Sequence, residues 1–278
     1  VKTVADLLRA SALPALETRI LLTRVLGWRR TELITRDHEP LDAAAVGQFE
    51  ALVKRRMHGE PIAQLVGSRE FFGLDFDVTP DVLIPRPETE LLVETGLAVI
   101  DGRESPRVLD LGTGTGAIAV ALAFARDDAQ VWAIERSDAA LAVARRNAAK
   151  LLSPQRAGGA IAFASSDWTE AIDPSLRFDL IVSNPPYIAS DDPHLEQGDL
   201  RFEPRGALTD DADGLSAIRV IVQRAPFLLA PGGALWLEHG YDQAEAVRAL
   251  LTERGLTEVR SATDLAGIER ISGGVFTA

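Results

Sequence analysis

The sequence predicts an α/β protein: a mostly parallel sheet with helices on both faces, preceded by a small all-helical domain. Three observations lead there. From Pro106 onward, short apolar runs alternate with segments of helical period. A glycine-rich stretch, Gly112-Thr113-Gly114-Thr115-Gly116, joins the first of those runs to the first of those helices. Before Gly59 the chain shows helix start and stop signals and no strand pattern.

With 278 residues, 46% of them hydrophobic and 25% charged, the composition is that of a globular protein of one large domain and a small companion. No apolar run reaches the roughly 20 residues of a membrane span. The start, Val1-Lys2-Thr3-Val4-Ala5-Asp6, has no signal-peptide core, so a cytoplasmic location is expected. The absence of cysteine excludes disulfides, thiolate metal sites and cysteine nucleophiles. Net charge is −12 and uneven: residues 1–60 carry 10 Lys/Arg against 8 Asp/Glu, and the remainder 19 against 33. An acidic catalytic half argues against a duplex-DNA footprint, which relies on basic charge. Arg29-Arg30 and Lys54-Arg55-Arg56 read as solvated helix surface in preference to a docking face.

The elements follow in order. Thr3 with Asp6 forms a capping pair, Pro14 suits a first helical turn, and Gly27 suits a C-terminal stop. Asp42 is placed to cap a helix over 43–58 that Gly59 and Pro61 end. The expected product is a bundle of three to five helices over residues 1–66, with no chemical motif of its own. Phe71 to Val78 alternates apolar and polar residues around Gly73, which predicts a hairpin, taken as a connector over 67–84. Next, Ile84-Pro85-Arg86-Pro87-Glu88-Thr89-Glu90 spaces charged groups with prolines before a helix at about 88–100. By itself that block reads as a rigid linker rather than a loop across a site entrance. The sheet domain, 85–278, takes strands at 108–111, 131–134, 161–164, 178–182 and, after a turn at Pro231-Gly232-Gly233, 234–238, with helices at 117–125, 139–152, near 214–229 and at 243–254. Two closing apolar stretches, 257–261 and 268–276, form a terminal antiparallel pair and bring the strands to seven.

Asp110 to Gly116 joins a strand to a helix, where glycines let the backbone approach a ligand closely. Gly112, Gly114 and Ala117 also satisfy the dinucleotide pattern, with Glu135 at the next strand's end to hold ribose hydroxyls, so a nicotinamide enzyme competes. Three features favour S-adenosylmethionine. Asp110 puts a carboxylate where the dinucleotide fold usually keeps an apolar residue, which suits a cofactor bearing an ammonium and a sulfonium. Ser166-Asp167-Trp168 follows the third strand and offers an acceptor beside a flat aromatic, suited to adenine, though a capping Asp and a core Trp weigh equally there. The third feature is Asn184-Pro185-Pro186-Tyr187, at the end of the fourth strand and in the same crevice. Two prolines cannot continue a ladder, so the chain leaves the sheet stiff and extended. Asn184 adds a side-chain carbonyl beside the Pro185 backbone oxygen, a pair of acceptors suited to a planar NH2 group. An ordinary strand-terminating turn is the alternative for the tetrapeptide alone.

These blocks resemble the release-factor glutamine methyltransferases of the HemK/PrmC type, from about Gly59 to the C-terminus. The likeness rests on Gly67-Ser68-Arg69-Glu70-Phe71-Phe72-Gly73-Leu74, on Leu83 to Glu90, on Asp110 to Gly116 and on Asn184 to Tyr187. Phe202-Glu203-Pro204-Arg205-Gly206-Ala207-Leu208 and Asp264-Leu265-Ala266-Gly267 add to it. The Pro-Arg-Pro-Glu-Thr-Glu and Phe-Glu-Pro-Arg blocks are its specific part; the other two loops are shared with amino-methyltransferases of nucleic acids. The resemblance implies a seven-stranded Rossmann-like methyltransferase sheet and a helical N-terminal domain that helps recognise the release factor. It moves residues 85–90 to the border of the active site, so that Arg86 and Glu88 join Asn184, Pro185, Pro186 and Tyr187 on the substrate side. Asp110, Gly112, Thr113, Gly114, Thr115, Gly116, Glu135, Asp167, Trp168 and Asn184 are the expected cofactor residues. Glu135 replaces a commoner Asp, Ser166 a Gly and Thr169 an aromatic, and His239 stands where an apolar residue is usual.

The activity implied is methyl transfer from S-adenosylmethionine, leaving S-adenosylhomocysteine, to the side-chain amide nitrogen of the glutamine in a Gly-Gly-Gln loop. Asn184 and Pro185 would hold the two amide N–H groups, and Tyr187 would pack on the amide plane. A monomer is expected, without duplex DNA, membrane or metal; His38, His58, His194 and His239 show no metal or dyad spacing. The nearest rival is an adenine-N6 or guanine-N2 methyltransferase, whose exocyclic amine fits the same acceptors, but no aromatic-rich basic groove accompanies them. A non-catalytic sensor would not need the Asn184 loop, and a dehydrogenase would leave Pro185-Pro186 unexplained.

Overall fold

The computed structural model describes residues 2–277. The chain divides into two compact units, one running up to Ser68 together with Gln197–Phe202, the other comprising Arg69–Glu196 and the residues from Glu203 onward.

The first unit carries helices α1 (Val4–Ala10), α2 (Ala15–Leu26), α3 (Glu32–Thr35), α4 (Ala43–Met57) and α5 (Ile62–Val66). Thr3 and Asp6 form the expected capping box, with Asp6 N donating to Thr3 Oγ1 at 3.2 Å and Thr3 N to Asp6 Oδ2 at 3.0 Å. Gly27, at φ 67°, ends α2. Asp42 precedes α4 but its side chain makes no cap hydrogen bond. Val4, Leu21, Leu22, Phe49 and Leu65 meet in the core. The basic run at the end of α4 is largely spoken for: Arg56 pairs with Glu17 and Asp199, and Arg55 with Glu60. Lys54 remains solvated surface.

In the second unit, β1 (Ser68–Phe71) and β2 (Leu74–Asp77) form a hairpin. Its turn residues, Phe72 and Gly73, have φ 52° and 74°, the signs of a type I′ turn that matches strand twist. Phe71 and Phe76 are buried and meet edge-to-face at 6.0 Å. Fully burying such a side chain contributes about 1.5–3 kcal/mol, so the hairpin's apolar face is anchored in this unit's core. Buried Asn147 reinforces it: Oδ1 accepts from Asp77 N at 2.7 Å, while Nδ2 donates to the carbonyls of Asp77 and Thr115 at 3.1 and 2.9 Å.

A short 3-10 turn, Pro87–Thr89, opens α6 (Glu90–Val99), and the alternation then runs as the sequence predicts: β3 (Arg107–Leu111), α7 (Ala117–Ala125), β4 (Gln130–Glu135), α8 (Asp138–Leu151), β5 (Ala162–Ser165) and β6 (Phe178–Ser183). A one-turn α9 (Arg205–Leu208), α10 (Ser216–Arg224), β7 (Leu229–Glu238), α11 (Ala244–Glu253), β8 (Thr257–Thr263) and β9 (Glu269–Val275) complete it. The seven strands lie in the order β5-β4-β3-β6-β7-β9-β8. β3 to β7 are parallel neighbours, and β9 runs antiparallel to both β7 and β8. Pro231-Gly232-Gly233, expected as a turn, falls inside β7 at a register shift against β6. Side chains of α6 and α7 fill one face of the sheet, those of α10 and α11 the other. Strand order reverses between β3 and β6, which opens a crevice beyond their C-terminal ends. Among the described residues no helix is long and apolar enough to cross a membrane.

Candidate functional site

A cavity in the second unit occupies that crevice. Its walls come from Asp81 to Leu83, Pro85, Arg86 and Thr89, the glycine loop after β3, the end of β4, Ser166 to Trp168, Asn184 with Pro186, and Pro204, Gly206 and Ala207. Six stretches that are far apart in the chain meet there because each follows a strand end or spans the crevice.

Asp110, near the end of β3, is fully buried. Its Oδ2 accepts from Thr113 Oγ1 at 2.6 Å, and its Oδ1 has no hydrogen-bond partner among the described residues. Burial pushes this carboxyl up to about 7; the Thr113 hydroxyl and, more weakly, the Ala119 backbone N–H oppose the shift, and nearby Glu135 adds to it. Asp110 is not itself among the cavity's lining residues; Thr113, which donates to it, is, and an unpaired acid oxygen just behind that lining suits a cationic donor.

The loop after Asp110 turns through three left-handed glycines, Gly112, Gly114 and Gly116, at φ 74°, 55° and 82°. Gly116 has a second constraint, since a Cβ there would lie 3.2 Å from that of Ala144. Glu135 closes the loop from β4: Oε2 accepts from Gly114 N at 3.0 Å and Oε1 from Ser137 N at 2.9 Å. Each oxygen keeps a second lone pair, so the carboxylate can still accept from a ligand's hydroxyls. Trp168 stands at φ 51°, uncommon for a bulky residue, with its ring over Gly112. A Cβ at 112 would meet that ring at 3.5 Å. Asp167 is exposed beside it.

On the other wall, Asn184 Nδ2 donates to Thr89 Oγ1 at 3.2 Å. Neither Asn184 Oδ1 nor the Pro185 carbonyl accepts a hydrogen bond from the described residues. Buried Ser183 anchors the loop's start by donating from Oγ to Leu111 O at 2.6 Å. At its end, Gln243 Nε2 donates to the Tyr187 carbonyl at 3.0 Å. The Tyr187 hydroxyl donates to Glu238 Oε1 at 3.2 Å, and burial with the adjacent carboxylate raises its pKa. Asn184 and Pro186 line the cavity, whereas Pro185 is buried and Tyr187 stands behind the wall.

Arg86 lines the cavity but is ion-paired to Glu203, whose side chain is fully buried and also accepts from Ile84 N at 2.8 Å. The pair therefore ties the Pro-Arg-Pro-Glu block to the Phe-Glu-Pro-Arg block. Glu88 is exposed and does not line the cavity. Sequence reasoning gave no role to Thr89, Asn147, Glu203, Glu238 or Gln243. Glu238 had one signal: it ends a strand at the same edge as Asp110 and Glu135. His239 is a buried structural residue, bonded through Nδ1 to Gly240 O and through Nε2 to Ser272 Oγ, both at 2.8 Å.

Residues 1–67 match the PrmC N-terminal domain family, and residues 87–198 the methyltransferase small domain family. A release factor glutamine methyltransferase of Burkholderia pseudomallei is 69% identical, over 98% of this chain and 95% of its own. One from Bordetella pertussis is 57% identical over 97% of each chain. Among solved structures, a methyltransferase of Pyrococcus furiosus shares the fold, with a TM-score of 0.55 at 19% identity over 81% of this chain and 98% of that one.

Proposed function

The chain belongs to the release factor glutamine methyltransferase family, and we propose that it methylates the side-chain amide nitrogen of the glutamine in the Gly-Gly-Gln loop of peptide chain release factors, using S-adenosylmethionine. The observation that carries this reading is the state of Asn184. Its NH2 is committed to Thr89, and neither its oxygen nor the Pro185 carbonyl next in the chain accepts a hydrogen bond from the described residues. Two rigid acceptors suit the two N–H groups of a carboxamide.

The residues present fit the cofactor. The orphaned Asp110 oxygen suits its ammonium, the Glu135 carboxylate its ribose hydroxyls, and Asp167 with Trp168 its adenine. Gly112, Thr113, Gly114, Thr115 and Gly116 let the chain pass close to it. When bound, S-adenosylmethionine supplies an electrophilic methyl group on a sulfonium.

The protein's task is to make a reluctant nitrogen attack. Amide resonance, reflected in a rotation barrier of about 18–20 kcal/mol, ties up its lone pair. Hydrogen bonds to Asn184 Oδ1 and the Pro185 carbonyl favour a tetrahedral nitrogen and stabilise the positive charge that develops there. Each is worth only about 0.5–1.5 kcal/mol net. Alignment against the methyl donor, which can contribute ~7–11 kcal/mol, carries the larger share. Tyr187 and Gln243 stiffen the loop that provides it. The Arg86–Glu203 pair ties the 84–89 segment to the 203–207 segment, so Arg86 acts on substrate through the shape of that wall, and Glu88 is exposed.

The test is a filter assay with labelled S-adenosylmethionine and three acceptors: purified release factor, its glutamine-to-alanine variant, and DNA. Label should enter only the first. Asn184→Ala should abolish transfer while cofactor binding persists; full turnover in that variant sinks the assignment.

A further inference from the structure

Neither Asn184 Oδ1 nor the Pro185 carbonyl is held by a donor among the described residues, so the place of this acceptor pair depends on the two ends of its loop. Between those ends the chain has little freedom, because Pro185 and Pro186 each fix φ at about −65°. The first end belongs to the sheet. Ser183 pairs with Leu111 in parallel register, and its hydroxyl donates to Leu111 O at 2.6 Å. The second end is the Tyr187 carbonyl, and one side chain holds it.

Gln243 Nε2 donates to Tyr187 O at 3.0 Å and to Gly214 O at 3.3 Å, while Oε1 accepts from Gly240 N at 2.8 Å. Backbone carbonyls only accept and a backbone N–H only donates, so one orientation of the carboxamide satisfies all three, and both its hydrogens are used. The side chain thereby joins the loop after β6, the loop before α10 and the loop after β7. The junction is tight: a Cβ on Gly214, at φ 78°, would lie 2.4 Å from Tyr187 O and 2.9 Å from Gln243 Nε2. Beyond Tyr187 the chain is tied to the segment that follows the cavity-lining Gly206 and Ala207. Ile188 N donates to Leu208 O at 3.0 Å, and Ser190 N to Ala212 O at 2.9 Å. We infer that Gln243 is a positioning residue: by clamping the Tyr187 carbonyl it sets where Asn184 Oδ1 and the Pro185 carbonyl stand relative to the cofactor cavity. The inference deepens the proposed amide methylation and rests on it for its kinetic consequence, though not for the clamp itself.

The test uses two variants. Gln243→Glu keeps the oxygen for Gly240 N and loses only the NH2, whereas Gln243→Met keeps the length and loses all three bonds. With release factor as acceptor, each should lower kcat at least about tenfold, since a misplacement of about 1 Å can cost on the order of 100-fold. Acceptor KM and cofactor Kd should move less than about threefold. Parental kcat in Gln243→Glu would reduce the side chain's role to the Gly240 bond and overturn the inference. A loss carried by KM or Kd with kcat unchanged would overturn it too. A second readout is independent of turnover. Tyr187-Ile188 is the only Tyr-Ile pair in the sequence, so carbonyl-13C tyrosine with 15N isoleucine gives one resonance for the clamped carbonyl. It should move upfield in both variants, as a carbonyl does on losing a donor; an unmoved resonance in either overturns the clamp. Failure of the parent protein to methylate release factor would instead sink the proposed function and leave this resonance to judge the clamp.

Discussion

Asp110→Asn should stabilise the ligand-free protein above neutral pH and weaken the cofactor site. The folded carboxyl is pushed from an ordinary 3.8 to about 7, with burial the main cause. Because the folded pKa is raised, the folded state holds a proton that the unfolded chain has already released. Its contribution to stability is therefore full below about pH 4 and is lost as pH rises through about 7. At about 1.36 kcal/mol per pKa unit, the buried charge costs roughly 4 kcal/mol once the pH is well above 7. Asparagine removes that cost but leaves an unpaired NH2, worth about 1–3 kcal/mol the other way. The net expectation is a gain of roughly 1–3 kcal/mol at about pH 8, turning into a loss at about pH 3.5, where the acid is largely neutral in both the folded and the unfolded chain. Urea unfolding at the two pH values measures both signs. Calorimetric titration with S-adenosylmethionine gives the complementary result. The parent Kd should weaken about tenfold between pH 8 and pH 6, since only the carboxylate attracts an ammonium. The variant should bind roughly 10- to 100-fold more weakly at pH 8, with little pH dependence, because a hydrogen bond to a charged group is worth about 1.5–3 kcal/mol. Parallel pH curves in the two proteins would refute the assignment of Asp110 as the ammonium's partner.

Glu203→Ala should cost about 3–5 kcal/mol in urea unfolding, since it strips a buried carboxylate from Arg86 and from Ile84 N; a loss below about 1 kcal/mol would mean the pair is not structural. Gly214→Ala places a methyl 2.4 Å from the Tyr187 carbonyl, at φ 78°. It should lower turnover at least about tenfold and stability by about 1–3 kcal/mol, and unchanged kinetics would show that the Asn184 loop tolerates displacement. Trp168→Ala should weaken cofactor binding about 5- to 10-fold, consistent with aromatic contacts of ~0.5–1.5 kcal/mol. Calorimetry reads that change, and an unaltered Kd removes Trp168 from the adenine site.

Fold class was legible because alternation of apolar strands and helix-period segments is a local property. The periods at 108–111, 117–125 and 178–182 survive nearly unaltered as β3, α7 and β6. The glycine loop and the Asn184 loop were legible for a related reason: glycine, proline and asparagine declare their backbone constraints in sequence. Proline and glycine misled in β7, where Pro231-Gly232-Gly233 form an irregular strand start held by Gly232 N donating to Phe276 O and Phe276 N to Gly233 O, both at 2.8 Å. The hairpin's place in a core was equally hidden, since alternation predicts a strand pair but not what its apolar face meets.

The sequence alone therefore determined the sheet, the family to which its motifs point, and the loops that carry chemistry. Only the tertiary structure decided what those side chains face. Arg86 finds Glu203, 117 residues away, Asn184 finds Thr89, 95 away, and Tyr187 finds Glu238, 51 away. Hydrogen bonds and buried charge depend on distances of a few ångströms, and those are fixed by how strand ends converge, which no local pattern of residues encodes.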